Sequence, residues 1–124
     1  MALLALAIPI LPGKTEQWKR FLAELRGPRF ADYAASRQRF GVRERAFLNS
    51  TPLGDIVVVT LDGDDPTGAF QRFGSTDDPF TRWFVQQVKE IHGVDLTQPL
   101  PGPMPELAID SQSGGTHLGG FGPR

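Results

Sequence analysis

Three polar residues interrupt stretches of sequence that are otherwise apolar. Arg37 falls on the same helical stripe as Tyr33, Glu44 alternates with apolar residues in a strand pattern, and Gln87 follows Trp83 by one helical turn. A cation, a carboxylate and an amide that converge on one cleft can orient a polar ligand whose body stacks on an aromatic ring. The spacing therefore predicts a ligand-binding site made of Tyr33, Arg37, Glu44, Trp83 and Gln87.

A second interpretation of the same pattern needs no ligand. Arg37 and Glu44 can form an ion pair, because burying an unpaired charge costs several kcal/mol. Gln87 can use its amide to satisfy backbone groups. The sequence leaves both interpretations open.

His92 is the candidate catalytic residue. It follows Phe84 and Val88 at steps of four, at the edge of an apolar helical stripe, and imidazole titrates in the range that suits a general base. The alternative is a residue that faces the helix dipole just before Gly93. The second histidine, His117, lies in a glycine-rich tail and is expected to be exposed to solvent.

Metal, nucleotide and thiol chemistry find little support. The chain has no cysteine, which excludes disulfides, thiolate ligands and a cysteine nucleophile. Asp62, Asp64 and Asp65 lack the distant glutamate of an EF-hand, and a site with two histidines would require His117 to fold back onto His92. No G-x-G-x-x-G, P-loop or G-x-S-x-G pattern occurs. We therefore expect no metal and no cofactor.

The bulk composition is that of one globular domain. The 124 residues are 40% hydrophobic and 22% charged, with a net charge of −1. The absence of a basic run argues against nucleic acid as a partner. The apolar start, Met1 to Leu11, lacks a positively charged leader and is too short to cross a bilayer, so a buried strand is predicted. We expect a cytoplasmic protein without a membrane partner.

Hydrophobic periodicity and turn residues predict the elements that must position these side chains. The predicted strands span residues 3–11, 42–49, 55–61 and 106–110, and helices are predicted to begin near Thr15, Pro28, Pro66 and Pro79. Asp65 and Asp78 each precede a proline, which is typical of an N-cap followed by the first helical residue. Residues 96–105, with four prolines, predict an extended connector.

This order predicts an α+β domain with a ferredoxin-like β-α-β-β-α-β arrangement and an antiparallel sheet. The domain is expected to cover residues 1–110, followed by a Gly-rich C-terminal tail at 111–124. Two helices on one face leave the other face of the sheet bare, and strands 42–49 and 55–61 carry apolar residues on both faces. Large apolar patches mark interfaces, so we predict a homodimer in which two sheets close a barrel.

Three stretches of the chain carry a resemblance to a known superfamily. The segments AIPILPGKTEQWKRFLAEL, ERAFLNSTPLGDIVVV and DDPFTRWFVQQVKEIHGVDL resemble the dimeric α/β barrel superfamily, and most closely its small uncharacterised bacterial members. The resemblance spans roughly residues 3 to 110. It implies the barrel architecture but no single activity, because the superfamily includes cofactor-independent monooxygenases, haem-degrading enzymes, chlorite dismutase-like proteins, lactone isomerases and sugar mutarotases.

Three functions follow from the residues and the resemblance together. The first is a dimeric protein that binds a small organic ligand in the cleft between sheet and helices. The second is a cofactor-independent monooxygenase- or isomerase-like enzyme acting on a small aromatic or polyketide-like substrate, with His92 as the base. The third is a haem protein with His92 as the axial ligand.

Overall fold

The computed structural model describes residues 2–112, which form an α+β fold of three strands and four helices. The elements in chain order are β1 (Ala2–Pro9), α1 (Thr15–Arg26), α2 (Phe30–Arg39), β2 (Val42–Thr51), β3 (Gly54–Gly63), α3 (Pro66–Gln71) and α4 (Pro79–His92). No helix in this part of the chain is long and apolar enough to cross a bilayer. His117 and most of the predicted tail lie outside the described residues.

The residues that cap the starts of α3 and α4 and the end of α4 are those that the sequence predicts. The Asp65 carboxylate accepts a hydrogen bond from the Gly68 N–H at 3.0 Å, and the Asp78 carboxylate accepts one from the Thr81 N–H at 3.0 Å. Gly93 ends α4 with φ of 73°, a left-handed conformation that costs glycine little. The two Asp-Pro signals and the terminal glycine of α4 are therefore confirmed.

The sheet is antiparallel with the strand order β1-β3-β2, so β3 lies at its centre. Leu6 of β1 faces Val59 of β3, and Ala46 of β2 faces Val59 from the other side. This register aligns the side chains of the three strands into two alternating sets, one on each face.

One face of the sheet is covered by the helices. Its central side chains are buried against apolar side chains of α1, α3 and α4, and they are Leu4, Leu6, Val57, Val59 and Leu61. Leu61 of β3 and Ile91 of α4 are completely buried. Burying this layer supplies the main favourable free energy of folding.

The described residues leave the opposite face uncovered. Leu3 is 60% exposed and Phe47 is 55% exposed, while Ile56 and Val58 of the central strand are half-buried. The prediction of a bare apolar face is therefore consistent with the structure of the single chain.

The predicted fourth strand at Glu106–Asp110 is wrong for the single chain. The structure assigns no strand to these residues, and β1 pairs only with β3. Ile109 is 78% exposed, so the segment does not pack its apolar side chains on the core. Pro105, immediately before the segment, has no N–H with which the pairing could extend towards the N-terminus. The described order is consequently β-α-α-β-β-α-α.

Candidate functional site

A small apolar cavity lies between the covered face of the sheet and the helices. It measures about 70 Å³, and its walls include Trp18, Phe21, Val57, Val59 and Phe84. The exposed Ala46 of β2 also contributes to the wall, so the cavity reaches the surface beside β2. The titratable side chains in the wall are Tyr33, Glu44 and His92.

Arg37, Glu44 and Tyr33 form a polar cluster at one end of the cavity. Arg37 Nε donates to Glu44 Oε1 at 2.6 Å, and the Tyr33 hydroxyl donates to the same oxygen at 2.9 Å. Arg37 is only 5% exposed, so its charge depends on this partner. Of the predicted cation, carboxylate and amide, the structure brings together Arg37 and Glu44, with Tyr33 beside them, but not Gln87.

The remainder of the Arg37 guanidinium is enclosed by neighbouring side chains. Nη1 donates to Ser36 Oγ at 3.0 Å, while Nη2 is fully buried and makes no hydrogen bond. The guanidinium carbon lies 3.9 Å from the centre of the Phe73 ring and 4.7 Å from that of Phe84, within cation–π range. Because Nη2 is buried and the other nitrogens bond to Glu44 and Ser36, Arg37 holds the cluster together and has no accessible donor for a ligand.

Burial sets the protonation state of Tyr33. Loss of solvent and the neighbouring Glu44 carboxylate both raise the pKa of the Tyr33 phenol well above its ordinary value. Tyr33 therefore remains protonated and acts as a hydrogen-bond donor to Glu44.

Glu44 keeps one oxygen available. Both hydrogen bonds to its carboxylate end on Oε1, and Oε2 has no hydrogen-bond partner within residues 2–112 and is not closed off. A carboxylate oxygen can only accept hydrogen bonds. Glu44 Oε2 is therefore a free acceptor in the wall of the cavity.

His92 lies in the cavity wall at the C-terminal end of α4. Its Nδ1 is 2.8 Å from the carbonyl oxygen of Pro9, and a carbonyl can only accept, so Nδ1 carries a proton. Burial lowers the pKa of His92, which leaves the ring neutral near pH 7. Nε2 is consequently unprotonated, and in the described part of the chain it has no hydrogen-bond partner.

The two polar ends of the cavity are far apart. Glu44 pairs with Leu61 on β3, whereas Pro9, which holds His92, pairs with Ile56. Those two β3 positions are five residues apart (61 − 56), or about 16 Å along a strand. His92 and the Arg37–Glu44 cluster therefore do not converge on one small group.

Trp83 and Gln87 lie outside the cavity, between α1 and α4. The Trp83 ring packs 5.3 Å from the ring of Phe21 and lies 4.0 Å from the guanidinium carbon of Arg29. Gln87 contacts Gln17 of α1, with Gln17 Nε2 3.5 Å from Gln87 Oε1. On α4 the cavity side is formed by Phe84, Val88 and His92, so positions 83 and 87 turn towards α1. The five predicted ligand residues do not form one site.

Ser36 is a member of the polar cluster that the sequence did not indicate. It is almost completely buried on α2 and accepts the Arg37 hydrogen bond. A lone serine inside a helix carries no pattern that distinguishes this role from an exposed one.

No group of three or more metal-ligating side chains occurs in residues 2–112. Comparisons of the chain with protein-family models, with curated proteins and with solved structures found no match. Its own geometry defines the class of protein: an α+β protein with a small apolar cavity that has a polar group at each end.

Proposed function

We propose that this protein binds a small, largely apolar organic molecule in the cavity between its sheet and its helices, and that it does so as a homodimer. The observation that supports binding is the cavity itself, which has aromatic and aliphatic walls with few polar groups. Apolar walls with a small number of placed polar atoms are typical of small-molecule sites.

The volume limits the size of the ligand. An engineered apolar cavity that encloses benzene measures about 150 Å³, and the present cavity of about 70 Å³ is roughly half as large. A ring-sized ligand therefore requires lining side chains such as Leu22 to shift. A haem is far larger still, so the volume argues against the haem alternative.

Native mass spectrometry with two matched variants tests the binding proposal. Leu22→Trp should fill the cavity, because Leu22 lies in its wall. Leu53→Trp adds the same ring at a turn where Leu53 is 99% exposed. We expect a co-purified small molecule in the wild type and in Leu53→Trp, and none in Leu22→Trp.

Toluene provides a defined probe for the same proposal. Saturating toluene should raise the melting temperature of the wild type and of Leu22→Ala, whose cavity is larger, but not that of Leu22→Trp. If neither the wild type nor Leu22→Ala binds toluene or retains any molecule, the cavity is a packing defect and the binding proposal is overturned.

The dimer proposal rests on the uncovered face of the sheet. Phe47 and Val58 pair with each other and make its centre apolar, while Leu3 lies towards one end, opposite Asp62, which forms a 2.6 Å ion pair with Arg45. A second copy presenting the same face would cover the apolar centre and complete the barrel that the sequence resemblance implies.

Sedimentation equilibrium at micromolar concentration tests the dimer. We expect about twice the 13.6 kDa mass of one chain, and a folded monomer for Val58→Asp, which places a charge at the centre of the face. Ala23→Asp, at an exposed position of α1, makes the same change of charge away from the sheet face and serves as the control. A monomeric wild type with intact secondary structure would overturn the barrel.

A second candidate function is a cofactor-independent enzyme that removes a proton. The specific observation is that His92, whose ring is neutral with Nε2 unprotonated, is one of the residues that line the cavity. Exchange of the α-protons of cyclohexanone in heavy water, followed by NMR, is a direct assay. Exchange that exceeds the buffer rate and is lost in His92→Phe would support the enzyme. Equal exchange rates with and without the protein would contradict the enzyme function.

A further inference from the structure

Two of the side chains that line the cavity in the described part of the chain carry a free hydrogen-bond acceptor. Glu44 Oε2 is free at one end and His92 Nε2 at the other, while the Tyr33 hydroxyl already donates to Glu44. Trp18 also lies in the wall and carries an indole N–H, a neutral donor. These groups restrict the kind of ligand that the proposed function can involve.

Among residues 2–112, no lysine or arginine lines the cavity. Arg37, whose partner Glu44 does line it, is paired with Glu44 at 2.6 Å, donates to Ser36 and is buried at Nη2. A carboxylate or phosphate would have to give up its hydration without gaining a counter-ion, and it would lie near the negative Glu44 carboxylate. The arrangement therefore disfavours anions.

Resting on the proposed function, we propose that the ligand is a neutral apolar molecule bearing a hydroxyl group, which donates its hydrogen bond to a free acceptor in the cavity wall. A hydroxyl can also accept a hydrogen bond, so it remains compatible with the Trp18 indole N–H. An apolar body suits the remaining walls, which are aromatic and aliphatic.

Phenol, toluene and benzoate form a matched series of probes, because they share a ring and differ in the polar group. Each is titrated against the wild type and against Leu22→Ala, with the affinity taken from the shift in melting temperature. We expect phenol to bind about fivefold to tenfold more tightly than toluene, as one hydrogen bond to a wall acceptor predicts. Benzoate should give no saturable shift.

Two variants assign the acceptor. His92→Phe removes Nε2 and keeps a ring. Glu44→Gln keeps the shape of the side chain and puts an amide NH₂, which is a donor, in place of the acceptor Oε2. In one of these two variants, phenol and toluene should bind with equal affinity. Toluene affinity should be retained in that variant, which shows that the cavity has not collapsed.

Several outcomes would overturn the inference. Equal affinity of phenol and toluene in the wild type would remove the hydroxyl requirement and leave the binding function standing. A phenol preference that persists in both variants, or saturable binding of benzoate, would also contradict it. If no probe binds even to Leu22→Ala, the proposed binding function itself fails.

Discussion

Along the middle of the central strand, at positions 56–59, the two faces of the sheet carry similar residues and have opposite surroundings. Along β3, Val57 and Val59 are buried beneath the helices, whereas Ile56 and Val58 point to the other side and are half-buried. From Ile56 to Val59 the residues alternate without a change in hydrophobicity, whereas towards one end the outer face also carries Thr60 and Asp62. What differs at these positions is whether helices cover the side chains. Within residues 2–112, only the covered face combines an apolar layer with a cavity and a buried ion pair.

The largest expected effect is at the buried ion pair of the covered face. Glu44→Ala leaves Arg37 without its carboxylate in a site where it is 5% exposed, so we expect a loss of about 3–5 kcal/mol in the free energy of unfolding. The measurement is a urea unfolding curve.

The matched control replaces both partners. Arg37→Met combined with Glu44→Leu removes both charges and should lie within about 1 kcal/mol of the wild type, because no uncompensated charge remains. If the double variant equals the sum of the single variants Arg37→Met and Glu44→Leu, the two residues do not interact and the polar end of the cavity is misassigned.

Two neighbouring valines compare the faces directly. Val57 is 2% exposed, so Val57→Ala should cost roughly 2 kcal/mol from lost burial and the space left behind. Val58→Ala should cost less than about 1 kcal/mol at low protein concentration, where a second copy is absent. Chemical unfolding across a concentration series is the measurement.

The concentration series also sharpens the dimer proposal. The cost of Val58→Ala should increase with protein concentration if a second copy buries this side chain, while that of Val57→Ala stays constant. Equal costs at the lowest concentration would mean that the outer face is already covered within one chain.

A smaller effect is expected at the start of α4, a helix that covers the inner face. Hydrogen bonds from the hydroxyls of Thr76 and Thr81 and from the Thr81 N–H lower the pKa of Asp78 to about 2. The ionised Asp78 carboxylate therefore adds to the free energy of unfolding above the unfolded pKa of about 3.9, and this contribution is lost as the pH falls towards 2. Asp78→Ala should cost about 1 kcal/mol at neutral pH.

Urea unfolding at pH 7 and at pH 2 separates this capping contribution from the rest. The difference in the free energy of unfolding between wild type and Asp78→Ala should be smaller at pH 2 than at pH 7. Asp78→Asn keeps a hydrogen-bond acceptor, so its free energy of unfolding should remain close to that of the wild type at pH 7. A pH-independent difference would contradict the capping explanation.

The smallest effect is expected at His92, on the edge of the covered face. Burial lowers its pKa below the ordinary value of 6.5, and the hydrogen bond to Pro9 only partly opposes this. The folded state therefore binds a proton less readily than the unfolded state, and stability declines as the pH falls below about 6.5. His92→Phe should flatten this slope between pH 7.5 and 5.5, and an unchanged slope would place its origin elsewhere.

Local chemistry explains which predictions from sequence succeeded. The Asp65 and Asp78 caps and the terminal Gly93 depend on neighbours within a few residues, so their signals are complete in the sequence. The proximity of Arg37 and Glu44 also follows from a short turn between a helix and a strand, because only seven positions (44 − 37) separate them.

Non-local chemistry explains the rest. Trp83 and Gln87 have the periodicity of a buried stripe, yet they face α1, because the rotation of α4 depends on what it packs against. The alternation of Leu107 and Ile109 suits a strand, but no neighbouring strand pairs with it in the described chain. Neither outcome has a signal in the local sequence.

The sequence alone determined the α+β class, the positions of the helices and of three strands, and the Arg37–Glu44 pair, because these follow from periodicity, caps and short separations. Only the tertiary structure decided that His92 is held by Pro9, 83 residues away (92 − 9), and lies far from Glu44. The physical reason is that hydrogen bonds and cavity walls join atoms that are neighbours in space, and a one-dimensional pattern does not encode the packing of α4 on the sheet.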